Sequence, residues 1–148
     1  MKPSCPTRGC LAWLVAAVCW LAVAAHPAPA WAQSSPATAC DDKPSAPEQR
    51  TCLEALLRQA DTALNSAYQR ALRYIDADTD STPLQRQAWK HALQVAQRNW
   101  IAFRDSDCGD LISYEWHSGS GTGTASLSCL LDKTTRRSQQ LTQRYTDN

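Results

Sequence analysis

Charge of one sign is what this sequence most plainly lacks. Over 148 residues, 15 Lys and Arg stand against 14 Asp and Glu, a formal +1, so there is no basic field to recruit nucleic acid. Losing Lys2 and Arg8 with an N-terminal leader would turn that +1 into −1. Long apolar runs are also scarce. Leu11 to Ala25 is uninterrupted, but a membrane span needs about 20 residues, and nothing later approaches that length. No stretch alternates with period two, which excludes a sheet. The five glycines are few, and three of them, Gly119, Gly121 and Gly123, share one short segment. No Cys-x-x-Cys occurs, which removes both the paired-ligand zinc pattern and the redox motif. Neither a cofactor nor a metal is expected. Wholesale disorder is also excluded, because 43% apolar and 20% charged residues are ordinary globular values.

What is present begins with an export signal. Lys2 and Arg8 form a positive n-region, the Leu11–Ala25 run follows, and Ala30-Trp31-Ala32 before Gln33 fits a small-x-small cleavage site. Residues 1–32 are therefore expected to be a secretory signal peptide. The mature chain should have no membrane span and be periplasmic or secreted. About 116 residues remain, enough for one domain that buries roughly 65% of its unfolded surface.

Cys5, Cys10 and Cys19 leave with the signal, so Cys40, Cys52, Cys108 and Cys129 remain. An even number in a small exported domain predicts two disulfides with three possible connectivities. Residues 33–47, rich in proline, serine and alanine, read as an irregular leader. From about Glu48 to Ile75 the apolar residues recur at helical spacing. Asp76-Ala-Asp-Thr-Asp80 then interrupts, and Ser81 or Thr82 before Pro83 supplies an N-cap. A second helix should run to about Leu111, with an inward stripe of Leu84, Ala88, Ala92, Val95, Ala102 and Phe103, flanked by Trp89, Leu93, Ala96 and Trp100. His117 to Thr124 reads as a flexible glycine loop. Leu127, Leu130, Leu131, Thr134, Leu141 and Tyr145 mark a third helix over Ser126–Tyr145.

The expected class is all-α: an antiparallel hairpin of two long helices plus a C-terminal helix, over residues 48–148, stapled by two disulfides. A hairpin turning near Thr79 gathers all four cysteines at one end, so geometry alone leaves the pairing open. The sequence-local pairs, Cys40 with Cys52 and Cys108 with Cys129, are favoured, each worth about 3 kcal/mol in the chain-entropy model.

Cys40, Thr51-Cys52, Ala60-Asp61, Leu64-Asn65 and Tyr68 are followed by Gln97-Arg98-Asn99-Trp100-Ile101-Ala102-Phe103-Arg104-Asp105 with Cys108. The glycine loop, Cys129, Thr134, Arg137 and Leu141 complete a pattern that resembles the LprI-like lysozyme-inhibitor family. The resemblance spans nearly all of the mature chain. It implies an exported helical domain with two disulfides, with lysozyme inhibition attached to the member that named the family. The sequence departs from the family in its looser Ser118-Gly-Ser-Gly-Thr-Gly-Thr124 loop.

Asp61, Tyr68, Trp100, Arg104, Asp105 and Arg137 form the signature and are assigned structural roles. Trp100 and Arg104 share a helical face, and an inward Arg137 requires a carboxylate, which Asp105 or Asp61 could supply. Asp107, Asp110, Glu115, Trp116, His117 and Ser118 are the candidate partner-binding surface, an acidic end and loop suited to a basic partner such as a lysozyme. The Asp76-x-Asp78-x-Asp80 run begins like a calcium loop, but Ser81 and Gln87 stand where Gly and Glu are needed. His91 and His117 lack a rigidly posed nucleophile, so catalysis is not expected. The reading is an exported binding protein that inhibits a lysozyme by occluding its active-site cleft. The alternative is a cell-envelope adaptor or toxin-neutralising protein whose partner is not a lysozyme. Oligomeric state is not legible.

Overall fold

The computed structural model describes residues 35–146. The expected signal peptide and its cleavage position at Ala32 and Gln33 lie outside the described residues. A 3-10 turn, Pro36–Cys40, is capped by the Ser35 hydroxyl, which accepts from Ala37 N at 3.2 Å. The stretch read as irregular thus carries an ordered turn, and Ala37 and Cys40 are buried in it. Helix α1, Ala46–Ala77, starts where Ser45 Oγ accepts from Glu48 N, with Pro47 and the acidic Glu48 in its first turn. An early proline lacks only a donor that would have gone unpaired, and Glu48 meets the positive end of the helix dipole.

Arg86 closes the connection to the next helix by donating to the carbonyls of Asp78 and Ser81. Helix α2, Pro83–Ser106, opens with a full capping box: Gln85 N donates to Thr82 Oγ1 at 3.3 Å, and Thr82 N donates to Gln85 Oε1 at 2.8 Å. The second helix does not run unbroken to Leu111. It passes at Asp107 into a π-helical turn, Asp107–Leu111, kinked at Gly109 (φ −93°, ψ −105°), then into a single-turn helix α3, Ile112–Glu115. Helix α4 covers Thr122–Arg144, so it starts inside the segment expected to be loop. Among the described residues there is no strand, and the class is all-α.

Contacts along the helices fix their directions. Arg50 lies beside Gly123 near the start of α1 and α4, Arg70 donates to Thr142 further along, and Tyr74 meets Tyr145 at the far end. Helices α1 and α4 are therefore parallel, and α2 runs antiparallel to both. Helices α1 and α4 share the most extensive contact of any helix pair among the described residues. Ala60, Ala67 and Ala71 of α1 are buried, and small side chains at a crossing let two axes come together. Leu53, Leu64 and Ile75 complete that face against Leu131, Thr134 and Leu141 of α4.

Helix α2 turns a different face inward from the one its apolar stripe suggested. Leu93 and Gln97 are its buried residues, aligned with partly buried Trp89, Trp100 and Arg104. Leu84 is 75% and Phe103 54% exposed, and Ala88, Ala92 and Ala102 face solvent. The reason is area: a row with two tryptophans and a leucine removes more apolar surface from water than one in which three of six residues are alanine.

Two apolar clusters result. One, toward the α1–α2 turn, holds Leu64, Ala67, Ala71, Ile75, Leu93, Leu141 and Tyr145, with Tyr68, Tyr74, Trp89 and Trp100 packed against it. The other, toward the cysteines, holds Ala37, Cys40, Leu53, Ala60 and Leu131. Both disulfides are the sequence-local ones, Cys40–Cys52 and Cys108–Cys129, with S–S distances of 2.02 and 1.99 Å.

Candidate partner-binding site

Arg104 ties the three long helices together beneath the site. From α2 its Nη1 donates to Asp61 Oδ1 of α1 at 3.3 Å and to Thr134 Oγ1 of α4 at 3.1 Å, while Nε donates to Asp105 Oδ1 at 2.9 Å. Its side chain is 16% exposed and lies 5.4 Å from the Trp100 ring centroid. A guanidinium this buried needs partners all round its fork, and it has them. The expectation for Arg137 is corrected by this arrangement. Arg104 occupies both Asp61 and Asp105, so Arg137 Nε instead donates to Gln97 Oε1 at 3.0 Å, with the Trp100 ring 5.8 Å away. Burial, and after it the neighbouring Arg144, draw the Arg137 pKa below the ordinary guanidinium value. Gln97 opens the run that resembles the family but had no role assigned from sequence, although it sits four residues after Leu93 on the inward row. Tyr68 packs against the core cluster of Leu64, Ala67, Ala71 and Ile75.

The π turn steers the chain across the end of the bundle. At the kink, the Cys108 carbonyl is taken by the Ser126 hydroxyl, which supplies a partner to a group that a helix end leaves open. The Cys108–Cys129 bond then anchors the turn to α4. Asp107, expected in the partner-binding set, is diverted: it pairs with Lys133 Nζ at 2.9 Å, and that ammonium also lies 4.8 Å from the Phe103 ring centroid. Asp107 and the sulfurs of Cys108 and Cys129 cluster within 4.8 Å. The sulfurs are bonded to each other and the carboxylate is paired, so this donor set is not that of a metal site. Asp76 pairs with Lys90, and Asp78 Oδ1 accepts from Asp80 N, so these acids serve the α1–α2 connection.

Beyond α3 the chain is wound tightly. His117 (φ 51°) and Ser118 (φ 52°) both adopt the left-handed conformation, which costs a non-glycine residue free energy. Hydrogen bonds hold them there: Ser118 N donates to Ser113 O, Gly119 N to Trp116 O, and Thr122 Oγ1 to Gly119 O, at 2.9, 2.9 and 2.7 Å. The segment read as a flexible loop is thus a hydrogen-bonded turn that runs directly into α4. Trp116 lies against Gly121, where a Cβ would stand 2.6 Å from the indole Cζ3. Glycine leaves room for the ring in this position, and a Cβ would push it aside.

Of the six expected partner-binding residues, Asp110, Glu115, Trp116, His117 and Ser118 are exposed on this tip and Asp107 is withdrawn. Sequence reading missed Tyr114, 80% exposed beside Trp116 at 51%. Its signal was a bulky aromatic with no place on a core stripe.

Comparison with known proteins places these features in context. The profile of the family described as Lysozyme inhibitor LprI matches residues 40–141. An uncharacterized protein of Rhizobium meliloti (strain 1021) is 31% identical over 117 residues, which cover 77% of this chain and 83% of that protein. No solved structure matches.

Proposed function

We propose, since the chain belongs to the lysozyme inhibitor LprI family, that it works by binding: its aromatic tip enters the active-site cleft of a lysozyme and blocks it. The family is an inhibitor family, not known for catalysis. The observation that carries the reading is Trp116, exposed yet seated on Gly121. A large ring already resting on the backbone before binding has less freedom to lose on association, and tryptophan is among the commonest interface anchors. Tyr114 adds a second ring, and Asp110 and Glu115 beside them would steer a basic partner. The two disulfides fit an oxidising compartment, and no helix among the described residues is long and apolar enough to cross a membrane. The disulfides and the expected leader both support a periplasmic or secreted location. The exposed apolar row of α2 favours the second reading, an envelope adaptor or toxin-neutralising protein.

The test is a titration of the oxidised, processed protein against c-, g- and i-type lysozymes, following muramidase activity at low and high salt. Stoichiometric inhibition of one class, weakened by salt, is expected. Absence of inhibition in all three would move the adaptor reading to the front.

A further inference from the structure

Helices α2 and α4 do not close on one another. Along their junction runs a groove whose two stretches, about 630 and 310 Å³, meet at Arg137 and Gln140. From Trp89 to Phe103 it follows α2 for about 21 Å, four helical turns. Its α2 wall is apolar and shallow-sided: Ala92 and Ala96 between Trp89 and Trp100. These belong to the part of α2 whose apolar periodicity predicts burial, yet Ala92 and Ala96 face solvent. The α4 wall is mostly basic. Arg136, Arg137 and Arg144 line it, and among the described residues none of the three has a carboxylate within ion-pair distance. Lys133, at one end, is held by Asp107. Asp132 is the single carboxylate lining the groove, and it accepts from the Ser35 hydroxyl.

We infer that this groove is a second docking surface, and that its occupant is an acidic amphipathic helix of a partner protein, laying apolar side chains on Ala92 and Ala96 and carboxylates against Arg136, Arg137 and Arg144. Length, apolar floor and a row of arginines that no carboxylate of the described residues pairs each match such a helix, which reads a groove through anchors at i, i+3, i+4 and i+7. Guanidiniums recognise carboxylates in two-pronged fashion. A basic lysozyme is the wrong partner for this face, so the inference does not rest on the inhibitor reading.

The experiment uses a fluorescein-labelled 18-residue peptide with leucines at helical spacing flanked by glutamates, titrated into the oxidised, processed protein. Controls are the same peptide with lysines replacing the glutamates and one with the leucine positions scrambled. The glutamate peptide is expected to bind saturably and at least tenfold more tightly than either control, and to weaken as salt is raised. Ala92→Glu and Arg144→Glu, both at exposed positions, should each reduce its affinity about tenfold, with far-ultraviolet circular dichroism and muramidase inhibition unchanged. Equal binding of the lysine peptide, no binding of the glutamate peptide, or indifference to both substitutions would overturn the inference. So would self-association that Ala92→Glu abolishes, since the groove would then belong to a second copy of the chain.

Discussion

At one end of the bundle Tyr74, Trp89 and Tyr145 meet with ring centroids 5.7 to 6.3 Å apart and close a core of Leu64, Ala67, Ala71 and Ile75. At the other, the Cys40–Cys52 cystine stands among Ala37, Leu53, Ala60 and Leu131, no aromatic ring belongs to the cluster, and a second cystine, Cys108–Cys129, ties the π turn to α4. Bulky apolar side chains are nonetheless plentiful there. Of the six large hydrophobic residues exposed among the described residues, Ile101, Phe103, Leu111, Tyr114 and Trp116 all fall between the last turns of α2 and the tip. The contrast shows how the two ends use their aromatic surface. The turn end is held by burying its rings. Covalent bonds hold the cystine end, so its rings remain available for a partner.

The largest effect should come from breaking the covalent end. Replacing Cys108 and Cys129 by serine opens a bridge across 21 residues and should cost about 3 kcal/mol, read as a lower urea midpoint. Reducing the native protein should lower the midpoint further, since Cys40–Cys52 opens as well. Ile75→Ala tests the opposite end. Its side chain is fully buried, and truncation should also cost about 3 kcal/mol through the cavity left behind, with muramidase inhibition unchanged at temperatures where the variant is folded.

Ala71→Leu should cost about 2 kcal/mol by overpacking, because Ala71 has no exposed surface on the face α1 turns to the core. The same substitution at exposed Ala88 should be close to neutral, and a comparable loss there would contradict the assignment of faces on α2. Arg104→Lys should cost about 1 to 2 kcal/mol, since an ammonium cannot serve Asp61, Asp105 and Thr134 in one plane. Denaturation of the double variant with Asp61→Asn would show non-additive losses if the pair is real. Gly121→Ala should have the smallest effect on stability, under about 0.5 kcal/mol, while it displaces Trp116 and weakens inhibition.

Much of this was legible in the sequence, for identifiable reasons. The α1 face was readable because Leu53, Ala60, Leu64, Ala67, Ala71 and Ile75 repeat at three and four residues and nothing competes with them. Start signals at Thr82 and Pro83 followed from capping chemistry, whereas a hairpin that gathers all four cysteines at one end left their pairing open and the sequence-local choice only favoured. The α2 face was not readable, because two apolar rows lie side by side and only tertiary packing chooses the one with the tryptophans. Gln97 as the partner of Arg137 was hidden by the rule that a buried guanidinium seeks a carboxylate, which fails once Arg104 has taken both. The tip was misread because Gly119, Gly121 and Gly123 suggest freedom. Here Gly121 makes room for Trp116, and the left-handed residues are His117 and Ser118.

The most direct test sets the two ends against each other in one assay. Muramidase inhibition by the oxidised, processed protein is compared with that by Trp116→Ala at the tip and by Arg144→Glu at the far end of α4. A loss of at least tenfold in inhibitory affinity for Trp116→Ala, about what removal of an interface anchor costs, with Arg144→Glu unchanged, is the predicted result. Full inhibition by Trp116→Ala, or a loss confined to Arg144→Glu, would contradict the claim that the cystine end is the surface that meets the lysozyme.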